Sequence, residues 1–205
     1  MKNAFIVAAA SLTVLLSAMS ARADGPIRPL AIEAAVGANI CIENDRAGCG
    51  GVDPFVYGRI GVHYRLLRNL ALGIDIDAGA FSTDNDGDGY LGLHVTAGVR
   101  GLYHIVPRFR VFSGVGLGFG HLRTSYSPPI SGVKAVTVNA FSIKVPLGLK
   151  VAVVKHFWLG LEAAVHVHLT GDECVKTDGP NLCADVGSDD VIHNLQVGLI
   201  LAYHL

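Results

Sequence analysis

The stretch that decides the fold is FVYGRIGVHYRLLRNLALGIDIDAGAF, residues 55–81. Its two halves alternate between apolar and polar or small residues, on either side of a short break at residues 67–69. Because successive side chains of a strand point to opposite faces, each half is predicted to be a β-strand with one apolar and one polar face. Pairing the strands about Arg68 places Arg59 opposite Asp77 on the polar face, where we expect a cross-strand ion pair.

The length of these strands distinguishes between two possible orientations of their apolar faces, inward or outward. A soluble barrel or sandwich would turn the apolar faces inward and the charged faces toward water. The strands here exceed the roughly 5–6 residues usual in soluble proteins and approach the ~9–11 that cross a bilayer at a tilt. The pattern therefore favours the opposite arrangement, a barrel with its apolar face toward lipid and its polar face toward the lumen.

The first residues of the chain have the parts of a secretory signal peptide. Lys2 supplies the positive region, residues 4–18 are apolar, and Ala-Arg-Ala at 21–23 is a cleavage motif of the A-x-A kind. We predict a signal peptide over residues 1–23 and a single barrel domain over residues 24–205. That domain keeps 14 basic residues against 17 acidic ones, a net charge of −3 that is too balanced to indicate a nucleic-acid partner.

The same alternation recurs along the chain and predicts eight strands. No segment after the signal peptide has the ~20 consecutive apolar residues of a transmembrane helix. Short breaks alternate with long polar segments, as short periplasmic turns alternate with external loops in bacterial barrels, so both termini are expected on the periplasmic side. The predicted strands are 30–40, 55–66, 70–81, 90–104, 109–122, 136–151, 157–169 and 191–205, and the long loops are 41–54, 82–89, 123–135 and 170–190.

Two further patterns distinguish the ends of the predicted barrel. Outward-facing aromatic residues lie beside the short turns or the C-terminus, as in the aromatic girdle of a membrane interface. The long loops hold 12 of the 17 acids, whereas the turn end holds eight basic residues against Asp24 alone. The girdle residues are Tyr64, Tyr103, Phe109, Phe157 and Tyr203, and the basic residues are Arg28, Arg65, Arg68, Arg100, Arg108, Arg110, Lys150 and Lys155.

With these features the chain resembles the small eight-stranded outer-membrane β-barrels of the OmpA/OmpX type. The resemblance covers residues 24–205 and rests on pattern rather than on a diagnostic motif. It implies an all-β fold, an eight-stranded antiparallel up-and-down transmembrane barrel in the outer membrane of a Gram-negative cell envelope. It also implies outer-membrane lipids and lipopolysaccharide as surroundings, the barrel-assembly machinery as a partner during biogenesis, and a monomeric state.

The inward-facing positions carry the candidate functional residues of the lumen. An eight-stranded barrel is just wide enough for side chains to fill it. A packed polar core of paired acids and bases is favoured, because an unpaired buried charge is costly. The alternative is a narrow pore gated by ion pairs that rearrange, as the resemblance to OmpA allows. The candidates are Glu33, Arg59, Asp75, Asp77, Arg100, Lys144 and Glu162, accompanied by His94, His166 and His168.

The second long loop contains a partial calcium-binding motif. Its DNDGDG sequence begins at Asp84, but the twelfth position of the motif is Val95 where an EF-hand loop needs Glu. Asp84, Asp86 and Asp88 are therefore calcium candidates with an incomplete ligand set, and a solvated turn is the alternative. We expect no other cofactor.

All four cysteines fall in the long loops. An exported chain meets an oxidising compartment, so two disulfides are favoured over free thiols, and the lack of C-x-x-C spacing argues against a metal site. Local pairs are preferred because short closures cost less entropy. Pairing between the first and last long loops remains open, since they are neighbours in a closed barrel. The local pairs are Cys41–Cys49 and Cys174–Cys183.

The sequence predicts a non-enzymatic outer-membrane protein with a structural or surface-interaction role, exercised through acidic, disulfide-closed loops. A narrow ion or small-solute channel with a charged lumen is the alternative. A lipid-modifying enzyme is more distant, although some eight-stranded barrels use a Ser–His pair on the outer wall. Ser113 and His121 are both predicted to face outward on the fifth strand, but they lie roughly 26 Å apart along it. No catalytic residue is assigned.

Overall fold

A computed structural model describes residues 29–42, 54–82, 89–130, 132–177, 179–187 and 193–205. Regular structure in these ranges is antiparallel β-sheet. The described residues contain no helix long and apolar enough to cross a membrane. The strands are β1 (Leu30–Ile42), β2 (Phe55–Leu67), β3 (Leu70–Ser82), β4 (Gly89–Val106), β5 (Phe109–Ile130), β6 (Val133–Ala152), β7 (Phe157–Lys176), β8 (Leu182–Gly187) and β9 (His193–His204).

Eight of these strands close into an up-and-down ring. Each strand from β1 to β7 pairs with the next, β7 pairs with β9, and β9 returns to β1. The closing register runs from Ala31 opposite His204 to Ile42 opposite His193. The predicted eight-stranded antiparallel barrel is thereby confirmed.

The first hairpin has the predicted register. Arg59 lies opposite Asp77, and the chain turns at Arg68 and Asn69 after an irregularity between Arg65 and Leu67. One alternation therefore sets both the strand identity and the pairing of this hairpin, because a slip of one residue would turn its apolar face toward the lumen.

Two of the predicted long loops are wrong, since strands continue through them. β5 extends to Ile130 and β6 begins at Val133, so the predicted loop 123–135 is the tip of a hairpin. Gly132 in its turn has a φ of 82°, a conformation that suits glycine. The predicted loop 170–190 holds the end of β7 and all of β8, which pairs with β7 outside the ring. Residues 123–135 and 170–187 are mostly polar or small, so they lack the regular apolar alternation that marks a strand.

Smaller differences concern strand ends. β1 extends past residue 40 to Ile42, β4 spans Gly89–Val106 rather than 90–104, and β9 begins at His193. Ends are the least certain part of any assignment from pattern. The predicted signal peptide over residues 1–23 lies outside the described residues.

Burial follows the predicted inside-out arrangement. Val56 and Ile60 are 67% and 64% exposed, whereas Tyr57 and Arg59 between them are almost inaccessible. A soluble barrel would show the reverse pattern. The outer wall is therefore apolar, as a lipid-facing surface must be.

The predicted girdle lies at the turn end of this wall. Tyr64, Tyr103 and Phe157 are exposed, and Phe109 and Tyr203 are half-buried. The rings of Phe157 and Tyr203 pack with centroids 4.9 Å apart. The aromatic residues thus form a band beside the short turns.

Candidate functional site in the barrel lumen

The lumen brings together charged side chains from six strands. The inner faces of β1, β2, β3, β4, β6 and β7 each contribute, because every second residue of a strand points inward. All of the predicted lumen residues are buried, and their ionic contacts form one network. They are Glu33, Arg59, Asp75, Asp77, Arg100, Lys144 and Glu162.

Arg59 is at the centre of this network. Its Nη1 donates to Glu162 at 2.9 Å and lies 3.5 Å from Asp75, while its Nη2 lies 3.5 Å from Glu33. The three carboxylates come from three different strands. A planar guanidinium with five donors can serve several carboxylates at once, which an ammonium group does less well.

Arg100 and the two lysines complete the pairing. Arg100 donates to Glu33 at 2.8 Å through Nη1 and to Asp75 at 2.7 Å through Nη2. Lys144 donates to both carboxylate oxygens of Asp77, at 2.8 and 2.9 Å. Lys150 forms an ion pair with Glu33. Four carboxylates thus meet four cations, and each carboxylate has a partner.

The structure corrects the expected partner of Arg59. The register opposite Asp77 is as predicted, but Arg59 reaches across the lumen to Glu162, and Asp77 pairs with Lys144. The reason is the narrow barrel, in which long side chains reach the opposite wall as readily as the adjacent strand.

Two members of the network were not among the candidates. Lys150 was assigned to the turn end, and His63 was not singled out, although its Nε2 lies 3.2 Å from Asp75. Both occupy inward positions in the alternation of their strands. That alternation was the signal that could have identified them.

A histidine layer lies on the loop side of the ion-pair network. Nε2 of His94 and Nε2 of His168 are 3.0 Å apart, and the rings of His94 and His166 have centroids 4.6 Å apart. Nε2 of His166 is 3.1 Å from Oε1 of Gln196. The ranges that the structure describes contain no group of three or more His, Cys, Asp or Glu side chains suited to hold a metal ion. The calcium candidates Asp84, Asp86 and Asp88 lie outside those ranges.

Apolar layers cover the network at both ends. The turn-side layer comes from residues near the turn ends of their strands and includes Phe112, whose ring lies 4.6 Å from Nζ of Lys150. The loop-side layer includes Phe55 and Tyr90, with ring centroids 4.7 Å apart. The full sets are Ala35, Ala71, Leu102, Phe112, Trp158, Ile200 and Ala202, and Phe55, Tyr90, Leu122 and Ala140.

Little space is left inside this part of the barrel. One cavity beside Asp75 and Lys144 holds about 10 Å³, and another beside Glu33 and Phe112 holds about 30 Å³. A single water needs roughly 10–15 Å³ of such volume, so these cavities hold a water or two. The arrangement is that of a plug built from paired charges.

Ser113 and His121, which the sequence placed far apart on the outer face of the fifth strand, each contact a neighbouring strand and not each other. Ser113 is only 3% exposed, since its short side chain lies at the register position of the larger Leu147. Nδ1 of His121 is 2.7 Å from Oδ1 of Asn139, so its contact is with a neighbouring strand. The two residues are not brought together.

The predicted disulfide Cys174–Cys183 is confirmed. The two cysteines are register partners on β7 and β8, with their Cα atoms 4.1 Å apart. Cys41 is also disulfide-bonded. Cys49 lies outside the described residues, so the pairing predicted for it stays a prediction.

Sequence comparison finds no family model and no curated protein that matches this chain. Structure comparison finds clear matches. Neisserial surface protein A (NspA) is similar over 86% of this chain and 97% of its own, with 9% identity and a TM-score of 0.57. A major outer membrane protein from Thermus thermophilus covers 86% of this chain and 98% of its own, at 13% identity and a TM-score of 0.55.

The attachment invasion locus protein Ail of Yersinia pestis is also similar, over 86% of this chain and all of its own, at 11% identity and a TM-score of 0.50. At such low identity the likeness concerns the backbone. Strand number, ring closure and the inside-out burial agree with it. This chain has the fold of the small eight-stranded outer-membrane β-barrels.

Proposed function

We propose that this chain is a non-enzymatic protein of the outer membrane, with a packed, non-conducting lumen and an acidic loop end that interacts at the cell surface. The observation that carries the proposal is the balanced network of buried ion pairs between two apolar layers. A lumen filled in this way stabilises the barrel and leaves the loop end as the interacting part. The apolar outer wall supports the location in a membrane.

The loop end offers a stiff platform for such an interaction. β5, β6, β7 and β8 continue past the ring as an antiparallel sheet, and the Cys174–Cys183 disulfide joins the last two strands. A paired sheet orders its surface side chains before binding, which reduces the entropy lost on association.

Acidic side chains on this platform favour a cationic ligand. Asp172 lies directly opposite Asp185 on β7 and β8, and both are exposed. Like charges in opposite positions destabilise a strand pair, and a bound cation would offset that repulsion. Divalent cations would in this way bridge the platform to the phosphates of lipopolysaccharide.

The channel alternative is tested by conductance of the refolded protein in a planar bilayer. We expect a silent bilayer once insertion has been verified, because the network and its apolar covers occupy the lumen. Regular current steps that change on Arg59→Gln or Glu162→Gln would instead support a pore gated by these ion pairs.

The surface interaction is tested by binding of the protein to lipopolysaccharide vesicles, with calcium or with a chelator. We expect calcium-dependent binding that weakens at least fivefold in the variant Asp172→Asn, Glu173→Gln, Asp185→Asn. A variant with Lys134→Gln and Lys176→Gln, on the same hairpins, is the matched control and should bind at least as well. Binding that ignores both calcium and the acidic variant would overturn the proposed bridge.

A further inference from the structure

A second, differently charged site lies at the turn end of the barrel. A cavity of about 430 Å³ opens between the turn that follows β4 and the turn that follows β6. We name it the turn-end vestibule. Its lining residues are Arg65, Arg108, Arg110, Lys155, Trp158 and His204, with Pro107 and residues 152–154.

Among the residues that the structure describes, the vestibule is lined by four cations and by no carboxylate. Within the described ranges, none of the four takes part in an ion pair, whereas Arg59, Arg100, Lys144 and Lys150 in the lumen all do. Arg65 and Arg110 also line the small cavity beside Glu33, but Glu33 forms its ion pairs with Arg59, Arg100 and Lys150. The described lumen acids thus pair with the lumen cations and form no ion pair with the cations of the vestibule.

Among these cations, Arg65 is the most deeply buried. It is 9% exposed, lies on the inner face of β2, and lines the vestibule. A buried charge without a partner is strongly destabilising, so buried arginines are normally paired. A ligand of opposite charge would supply the missing partner.

Arg110 lines the same cavity, and an aromatic contact fixes the orientation of its guanidinium. Its guanidinium stacks over the indole of Trp158, with the central carbon 3.9 Å from the ring centroid. Its Nε is buried and has no hydrogen-bond partner among the described residues. A stacked guanidinium keeps its orientation at little further entropic cost, and Arg110 holds this orientation where it lines the vestibule.

We propose that the turn-end vestibule binds a phosphate-bearing anion, with Arg65 and Arg110 as the inner contacts and Arg108 and Lys155 at the rim. Arginine forks match the geometry of phosphate oxygens and bind them with charge-assisted hydrogen bonds. The cavity falls in the ~300–1,000 Å³ range of small-molecule sites, so it admits a phosphorylated solute or a phospholipid headgroup. The site lies at the opposite end from the acidic platform and does not depend on the proposed function.

Trp158 provides a direct readout, because it is the single tryptophan of the chain. The full refolded protein, in neutral glycoside micelles free of phosphate, is titrated with inorganic phosphate and pyrophosphate while its fluorescence is followed. Sodium chloride at matched ionic strength corrects for screening. We expect saturable changes, with tighter binding of pyrophosphate.

Arg65→Gln should weaken the binding at least tenfold. Arg123→Gln is the matched control, since it removes an exposed arginine from the loop end of β5 and should leave the affinity unchanged. A separate thermal scan guards against a merely structural effect. Because Arg65 has no described ionic partner, Arg65→Gln should leave the melting temperature equal or higher.

A second titration, with short-chain phosphatidylglycerol in the same micelles, distinguishes the two sources of phosphate. Saturation by inorganic phosphate or pyrophosphate supports a soluble ligand, and saturation by the lipid alone supports a headgroup. If neither the phosphates nor the lipid gave a saturable fluorescence change, the proposed site would be wrong. It would also be wrong if Arg65→Gln and Arg123→Gln weakened the binding equally.

Discussion

Nη1 of Arg59 donates a hydrogen bond to Glu162 at 2.9 Å, although the two residues are 103 positions apart in the chain. Neither side chain is exposed to solvent. Arg59 is on β2 and Glu162 on β7, strands that are not neighbours in the ring. The ion pair therefore joins two separate parts of the wall through the interior.

Removing one partner of this pair should destabilise the barrel strongly. Glu162→Gln removes the closest negative charge and leaves Arg59 with carboxylate contacts only at 3.5 Å, to Asp75 and Glu33. Breaking a buried pair typically costs about 3–5 kcal/mol, and we expect the lower end because the two remaining carboxylates compensate in part. Urea unfolding in micelles measures the free energy of unfolding.

The matched control is Asp172→Asn, which neutralises an exposed acid on the same strand. Its effect should stay within about 0.5 kcal/mol, as for most surface changes. If both variants lowered the free energy of unfolding equally, the loss would come from the change in net charge and not from the Arg59–Glu162 pair.

Two glycines on the inner face of β5 should respond in opposite ways to alanine. A Cβ at Gly118 would overlap the backbone oxygen of Val95 and lie 2.7 Å from Cα of Thr96, neither of which can move without disturbing β4. A Cβ at Gly116 would have its nearest neighbours at an ordinary 3.5 Å. Overpacking costs about 1–3 kcal/mol, so Gly118→Ala should lose that much.

Gly116→Ala should be neutral or slightly stabilising, by up to about 1 kcal/mol, because alanine loses less entropy on folding. The yield of folded barrel and its thermal midpoint report both changes. If Gly116→Ala lowered the stability as much as Gly118→Ala, the close approach of β4 to Gly118 would not distinguish the two sites.

Phe112 and Phe119 lie on the same strand but on opposite faces. Phe112 is buried in the turn-side apolar layer, while Phe119 is 69% exposed on the outer wall. Phe112→Ala should cost about 3–5 kcal/mol, since it leaves a cavity beside Arg100 and Lys150. Phe119→Ala, in the same unfolding assay, should cost much less, and the reverse order would place the wrong face inward.

Removing the Cys174–Cys183 disulfide should loosen the hairpin and leave the ring intact. The bond closes a sequence separation of nine residues, for which chain entropy predicts about 2–3 kcal/mol. Because β8 pairs with β7 outside the ring, that loss should remain local. In Cys174→Ser, Cys183→Ser, amide exchange over residues 171–187 should accelerate while the barrel melts as before. A lower melting temperature of the whole barrel would show that the hairpin supports the ring.

The sequence pattern was enough to predict the features that depend on residues close together in the chain. A period of two identified the strands of the ring, and one alternation set Arg59 opposite Asp77. The preference for short closures predicted Cys174–Cys183. The hairpin extensions of β5–β6 and β7–β8 were not predicted, because their mostly polar or small residues show no regular apolar alternation.

By itself, the sequence determined which residues face lipid and which face the lumen, because side chains alternate along a strand regardless of what lies across the barrel. Only the tertiary structure decided which charges meet. Glu162 rather than Asp77 is the close partner of Arg59, and Arg65 and Arg110 are left without a described acid in the vestibule. The physical reason is that ring closure sets the distances across the lumen, and no local pattern encodes a contact between opposite walls.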